Sequence, residues 1–286
     1  MLYMQEYTLA EVHLMIEQQL ADGNVDWSDR QSNQEMREAF HGGFTLEDAG
    51  QAMITGWDAH REEMGDEIDR VVNELREEVN DYLGTHHREV RDVSGGFVDI
   101  DRFLMGDPEC MVESWLDEDV LQGKALKVLV NITANANVSD EALIKRGGAV
   151  IAAVEAVLAS GMNVELWVGE CCRPTGSGSS ADRNVELVCL KEYNDFTDPD
   201  VLAYCLAHPS YLRRIVFFLN EQHPEDVRRK FGFNEHGGYG SAQNFPDEVA
   251  EQFDLVIERY QHGDETDPAR LYEEMMRIKD RASEYA

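Results

Sequence analysis

The residues in this sequence with the clearest chemical potential are carboxylates, small polar side chains, and a few thiols and imidazoles. Asp99-Ile100-Asp101 sets two carboxylates two positions apart. That spacing suits a divalent cation in nucleotide or phosphodiester chemistry, and it equally suits a turn capped by its own acids. Asn131, Thr133, Asn135 and Asn137 fall on alternate positions of one short stretch. They offer amide and hydroxyl groups for binding, although asparagine-rich stretches are also ordinary turn formers. Cys171-Cys172 are adjacent, so they form neither a redox Cys-x-x-Cys nor half of a zinc knuckle. Joined by His86, His87 or His223 they would make a thiol or zinc site, but no spacing favours this. Cys110 and Cys205 stand alone, and Cys189 sits in an apolar run. His86-His87 follow Gly84 at the end of a helical pattern, where an imidazolium interacts favourably with the helix dipole. Glu235-His236-Gly237-Gly238-Tyr239 is a glycine-rich loop carrying one acid and one imidazole.

The elements that must position these groups centre on residues 125–219. ALKVLVNI (125–132) is a short apolar run, 139–159 has helical periodicity, and NVELWVG (163–169) is a second strand-like run. NVELVCL (184–190) and RIVFFL (214–219) complete four expected strands, with a helix over 199–207 before the last. The loop 170–183 (ECCRPTGSGSSADR) joins the second and third strands without a crossover helix, so these two are expected to be antiparallel. Gly147, Gly148, Ala149, Ala152 and Ala153 make one side of the 139–159 helix small, which would let it sit close on a sheet. The carboxyl ends of the strands gather 131–137, 170–173 and 220–223, where an α/β sheet places its ligands.

Before this core, Thr8 and Glu11 form a capping box for a helix with Leu9, Val12, Ile16 and Leu20 inward. Thr45 and Asp48 cap a second helix that stops at Gly56. Residues 58–83 carry Met64, Ile68, Val71, Leu75 and Val79 at helical spacing. Residues 99–119 hold eight carboxylates with Arg102 as the one base among them. The pattern changes near Gln122-Gly123, which divides the chain into a mainly helical region, 1–122, and an α/β domain, 123–286. After the core, 246–260 reads as a helix with Val249, Phe253, Val256 and Ile257 inward, and 268–282 as another.

The chain has 286 residues, 57 of them acidic against 25 lysines and arginines, for a formal charge of -32. Such a field repels phosphate backbones and disfavours direct nucleic-acid binding. It is compatible with adaptation to high salt, with plain solubility, or with mimicry of a nucleic acid towards a basic partner. Five cysteines, an odd number, argue against a disulfide framework. No signal-like segment opens the sequence and no window is long and apolar enough for a membrane span, so a cytoplasmic location is expected.

The order strand, helix, strand, antiparallel strand, helix, strand over residues 124–221 resembles a von Willebrand factor A-like domain. The fold class expected is therefore α/β, a von Willebrand factor A-like (Rossmann-like) mixed sheet flanked by helices, with an additional N-terminal helical region. In that family the first strand ends in Asp-x-Ser-x-Ser, which holds a divalent cation with a threonine and an acidic residue from later loops. Here the matching stretch is Asn131-Ile132-Thr133-Ala134-Asn135. Thr133 keeps a hydroxyl, but Asn131 stands for the aspartate and Asn135 for the last serine. Thr197 and Glu221 would represent the later positions, so Thr133 and Glu221 are the metal ligands that the resemblance implies. Amides lack the charge that a hard cation uses, so the motif is degenerate. The whole chain is also similar to uncharacterised proteins of bacterial viruses and mobile elements, through GGFVDIDRFLMGDPECM (95–111), which would place it in a host cytoplasm.

Two readings of function follow. The first is a non-enzymatic protein-binding or scaffold module whose degenerate edge (Asn131, Thr133, Asn135, Asn137, Thr197, Asn220 and Glu221) contacts a partner with a basic surface. It needs no cofactor. The second is a metal-dependent enzyme acting on nucleotides or phosphodiesters, in which Asp99, Asp101, Glu170 and Glu221 converge on Mg²⁺ or Mn²⁺.

Overall fold

The computed structural model describes residues 1–23, 41–57, 87–92, 97–98, 105, 111–116, 126–135, 138–159, 163–193, 198–233, 238–259, 270–271, 275 and 277. The expected helix over 58–83 and the division at Gln122-Gly123 lie outside these residues.

The chain opens with a strand, β1 (Leu2–Thr8), absent from the sequence-based expectations. Thr8 ends it and caps α1 (Leu9–Ala21): its hydroxyl accepts from Glu11 N–H while the Glu11 carboxylate takes the Thr8 N–H. The same device, Thr45 with Asp48, starts α2 (Leu46–Thr55), which stops at Gly56 with φ +86°. A separate three-stranded antiparallel sheet follows, formed by β2 (His87–Asp92), β3 (Phe97–Val98) and β4 (Met111–Leu116), with β4 in the middle. Only β4 lies in the acidic stretch 99–119, and none of the three strands was expected from the sequence.

The core begins at β5 (Leu126–Asn131), crosses through α3 (Asp140–Ala159) and returns as β6 (Val164–Arg173). The Gly/Ser loop then reverses the chain into β7 (Arg183–Lys191), antiparallel to β6 as its lack of a crossover helix requires. α4 (Pro199–Ala207) is capped by Asp198, with Pro199 in its first turn. The sheet is completed by β8 (Ser241–Ala242), paired to the end of β6, and β9 (Leu255–Ile257), parallel to β5. Its order is β1-β7-β6-β5-β9, with β1 parallel to β7. This is a mixed α/β fold with a central sheet flanked by helices, a Rossmann-like arrangement.

Two expected elements exchange places. Residues 214–219 were to be the fourth strand; instead Tyr211–Val216 is a turn of π-helix running into α5 (Phe217–Glu221). All of Tyr211–Val216 is buried, including Arg213 and Arg214, whose guanidinium groups donate to Val138 O and Phe44 O. A short apolar run buried on every side has no periodicity to separate helix from strand. The place of the expected fourth strand is taken by β9, parallel to β5 and inside the segment expected to be a helix. There the helix is only α7 (Asp247–Ala250), and Leu255 and Ile257 then alternate with the more exposed Val256. Between them in the chain, α6 (Glu225–Phe231) ends at Gly232, φ +79°.

One face of the sheet packs Val128, Val130, Leu166 and Val168 against α1, α2, α3, α4 and the π-helical turn, with Val12, Ile16, Met53, Val150, Tyr204 and Ile215 buried between them. β1, α1 and α2 of the N-terminal region thus share one sheet and one core with the α/β part. The other face, with Leu129, Cys171, Val185 and Leu187, is covered by Phe245 and Val249. At Gly147 the small side of α3 meets a helix: a Cβ there would lie 2.4 Å from Ala207 Cβ on α4. No helix among the described residues is long and apolar enough to cross a membrane.

Candidate functional site

At the carboxyl end of β5, Asn131 is fully buried and both atoms of its amide are used. Oδ1 accepts from Thr133 N–H (3.0 Å) and Nδ2 donates to Gln243 O (3.1 Å). The Thr133 hydroxyl accepts from Cys171 N–H on β6 (2.8 Å). Arg146 on α3 donates to Asn131 O and to Glu258 O, tying the helix to this edge. Asn135 is exposed and its carbonyl closes a turn with Val138 N–H. Asn137 and Thr197 lie outside the described residues, as do Asp99 and Asp101. Of the described residues at that edge, Asn131 and Thr133 are buried and already engaged in hydrogen bonds within the protein.

One position further along, β6 and β7 build a second and denser polar centre. Glu170 and Glu186 are register partners across the antiparallel pair, so their side chains leave the same face of the sheet. Asn184, two residues before Glu186, shares that face. α5 brings Asn220, and the segment after it brings His223. Asn184 Nδ2 donates both to Glu186 Oε1 (2.9 Å) and to Asn220 Oδ1 (3.0 Å), and Asn220 Nδ2 donates to Glu170 Oε2 (2.6 Å). His223 Nε2 lies 2.5 Å from Glu186 Oε1. Glu170 and Glu186 are 2% and 1% exposed, and both asparagines are fully buried.

Electrostatics follow from that burial. Desolvation pushes the Glu170 carboxyl up to about 8; the Asn220 hydrogen bond opposes this and the Glu186 charge adds to it. Glu170 therefore keeps its proton at neutral pH. Tyr7 on β1, whose hydroxyl donates to Gln5 Oε1, is also held well above the usual phenol range, first by burial and then by Glu186. Asn184 Oδ1 and Glu186 Oε2 are buried with no hydrogen-bond partner. A protonated carboxyl beside a buried acceptor of this kind can store or relay one proton.

The structure thus joins Glu170 to Asn220, from two of the three segments expected at the strand ends. Glu221, the residue after Asn220, accepts from Tyr239 OH (2.5 Å), whose ring stacks on Phe217 at 3.7 Å between centroids. Glu186 and Asn184 were missed; their signal was two polar residues at i and i+2 in an otherwise apolar strand. Cys171 and Cys172 point to opposite faces, each in a separate apolar cluster. Burial pushes Cys171 up to about 12 and Cys172 well above its ordinary value, so neither is a ready thiolate. Among the described residues, no three His, Cys, Asp or Glu side chains group in a way that could hold a metal ion.

No curated protein and no solved structure matches this chain. A family model described as a domain of unknown function, DUF7192, spans residues 5–280, and the chain belongs to that family.

Proposed function

We propose that this chain is a non-enzymatic protein-binding module on a von Willebrand factor A-like core that has given up its cation site. The observation that carries the reading is the closed edge at Asn131. An ion there would need the Asn131 and Thr133 oxygens, and both already accept backbone N–H bonds. The sheet order, with an antiparallel strand beside the second parallel one, supports the core assignment. The charge of -32 points to a partner with a basic surface.

The test restores the missing carboxylate with Asn131→Asp. Asn131 Nδ2 donates to Gln243 O, so an aspartate would set an acceptor against a carbonyl inside the protein. The variant is expected to lose about 2–4 kcal/mol in urea unfolding and to gain nothing from Mg²⁺ or Mn²⁺. Saturable Mg²⁺ stabilisation of the variant, abolished by adding Thr133→Ala, would show a latent ion site and overturn the reading.

A second reading is favoured by one feature, the protonated Glu170 opposite Glu186, which His223 contacts. It makes the chain an acid–base enzyme on nucleotides or phosphodiesters. Turnover of such a substrate by the native protein, lost in Glu170→Gln, would install it in place of the first.

A further inference from the structure

Strand β1 is an outermost strand of the central sheet. Its inner side pairs with β7 over its whole length, from Leu2 with Arg183 to Thr8 with Cys189. Among the described residues, no strand pairs with its outer side. Met4, Gln5 and Glu6 are consecutive and all exposed. Successive residues of a strand point to opposite faces, so neither face is covered at the middle of β1. Soluble proteins usually blunt such an edge with proline, lysine, a bulge or a covering segment. LYMQEYT contains no proline or lysine, and its pairing with β7 runs without a register shift.

We propose that β1 is a docking edge that takes an extended, basic segment of a partner protein as an added strand. This rests on the protein-binding reading above and names the surface and the chemistry of the partner. Backbone groups along β1 would supply affinity and the flanking side chains selectivity. Charge decides between occupants. Glu6 is on the strand, and Glu11 follows in the first turn of α1. The cations lie towards the other end: the amino terminus, paired with Asp182 (2.8 Å), and Lys230, which donates to Tyr3 OH (2.5 Å). Among the described residues Glu6 has no ion-pair partner, so the Glu6–Thr8 half carries negative charge, and a second copy of this chain would bring a further -32. Lysine or arginine side chains beside Glu6 fit, and acidic ones do not.

The probe is a peptide as long as β1, of alternating lysine and valine, titrated into the full-length protein while backbone amide NMR signals are followed. Its counterparts are a glutamate–valine peptide and a lysine–valine peptide N-methylated at alternate residues. The lysine–valine peptide is expected to shift the signals of Leu2–Thr8. The two counterparts are expected to bind at least about tenfold more weakly, one through charge and the other through lost backbone donors. Met4→Lys, at a side chain already 37% exposed, is expected to weaken binding by about tenfold, while Leu14→Lys on α1 leaves it unchanged. Shifts confined to other surfaces overturn the edge while leaving a binding module standing. Equal binding of the acidic peptide overturns the partner chemistry, and concentration-dependent pairing of β1 with itself makes the occupant a second copy. The Asn131→Asp experiment and the turnover assay judge the underlying reading independently.

Discussion

Glu170 shows how a single residue is decided by its surroundings. On an open strand end it would be an ordinary carboxylate and a plausible ion ligand. Enclosed between Glu186, Asn220 and the apolar layer, it holds a proton up to about pH 8. In the unfolded chain the same group releases its proton near its ordinary value of 4.5. Between those two values the native state binds more protons than the unfolded one, so stability falls as pH rises. The slope is up to about 1.4 kcal/mol per pH unit and ends above the native value. Urea unfolding of the native protein from about pH 5 to about pH 9 is expected to show this decline, and Glu170→Gln to flatten it and to be the more stable protein at the alkaline end. Parallel curves for the two proteins would mean that Glu170 is already ionised in the folded state. The segments that contribute Glu170 and Asn220 could be read from the sequence, because strand ends are where an α/β sheet exposes polar side chains. Glu186 was marked only by its polarity within an apolar strand, and it takes the register of β6 on β7 to bring it opposite Glu170.

Elements were readable where one residue type marks a boundary, and unreadable where burial erased the pattern. The threonine caps at Thr8 and Thr45, the stop at Gly56 and the proline start of α4 were all in place. The exchange between residues 214–219 and β9 has one cause: both are short, apolar and buried, so tertiary position and not periodicity assigns them. β1 was passed over because a single strand has no local partner to reveal it. The glycine pair in α3 carries a sharper test. Gly147 sits where a Cβ would meet Ala207 Cα at 2.5 Å and Leu206 O at 2.6 Å, backbone that cannot swing aside. Nothing lies within 4 Å of the corresponding point on Gly148. Gly147→Ala is therefore expected to destabilise the protein by about 1–3 kcal/mol through overpacking of α3 on α4. Gly148→Ala is expected to stabilise it by up to about 1 kcal/mol through helix propensity alone. Adjacent residues of the same type would then move in opposite directions in one denaturation series. If both changes cost the same, the close approach of the two helices is wrong.

The charge is a property of the whole molecule. Even if every lysine and arginine were paired one to one with a carboxylate, the excess of -32 would remain on the folded chain. Exposed pairs such as Arg229–Glu225 contribute at most about 1 kcal/mol each, and salt weakens them. Repulsion among the unpaired carboxylates is the larger effect, and folding concentrates it by drawing them onto one compact surface. Raising NaCl from about 0.05 M to about 1 M shortens the screening length severalfold, so the melting temperature is expected to rise. Where the rise stops distinguishes the origins of the acidity. Simple screening is nearly complete by about 1 M, and NaCl and KCl should then act alike. A surface built for concentrated brine would continue to gain stability at several times that concentration. A fall in melting temperature over the first interval would show that ion pairs outweigh repulsion. It would also remove the physical ground for expecting a basic partner, since the carboxylates would already be engaged within the chain.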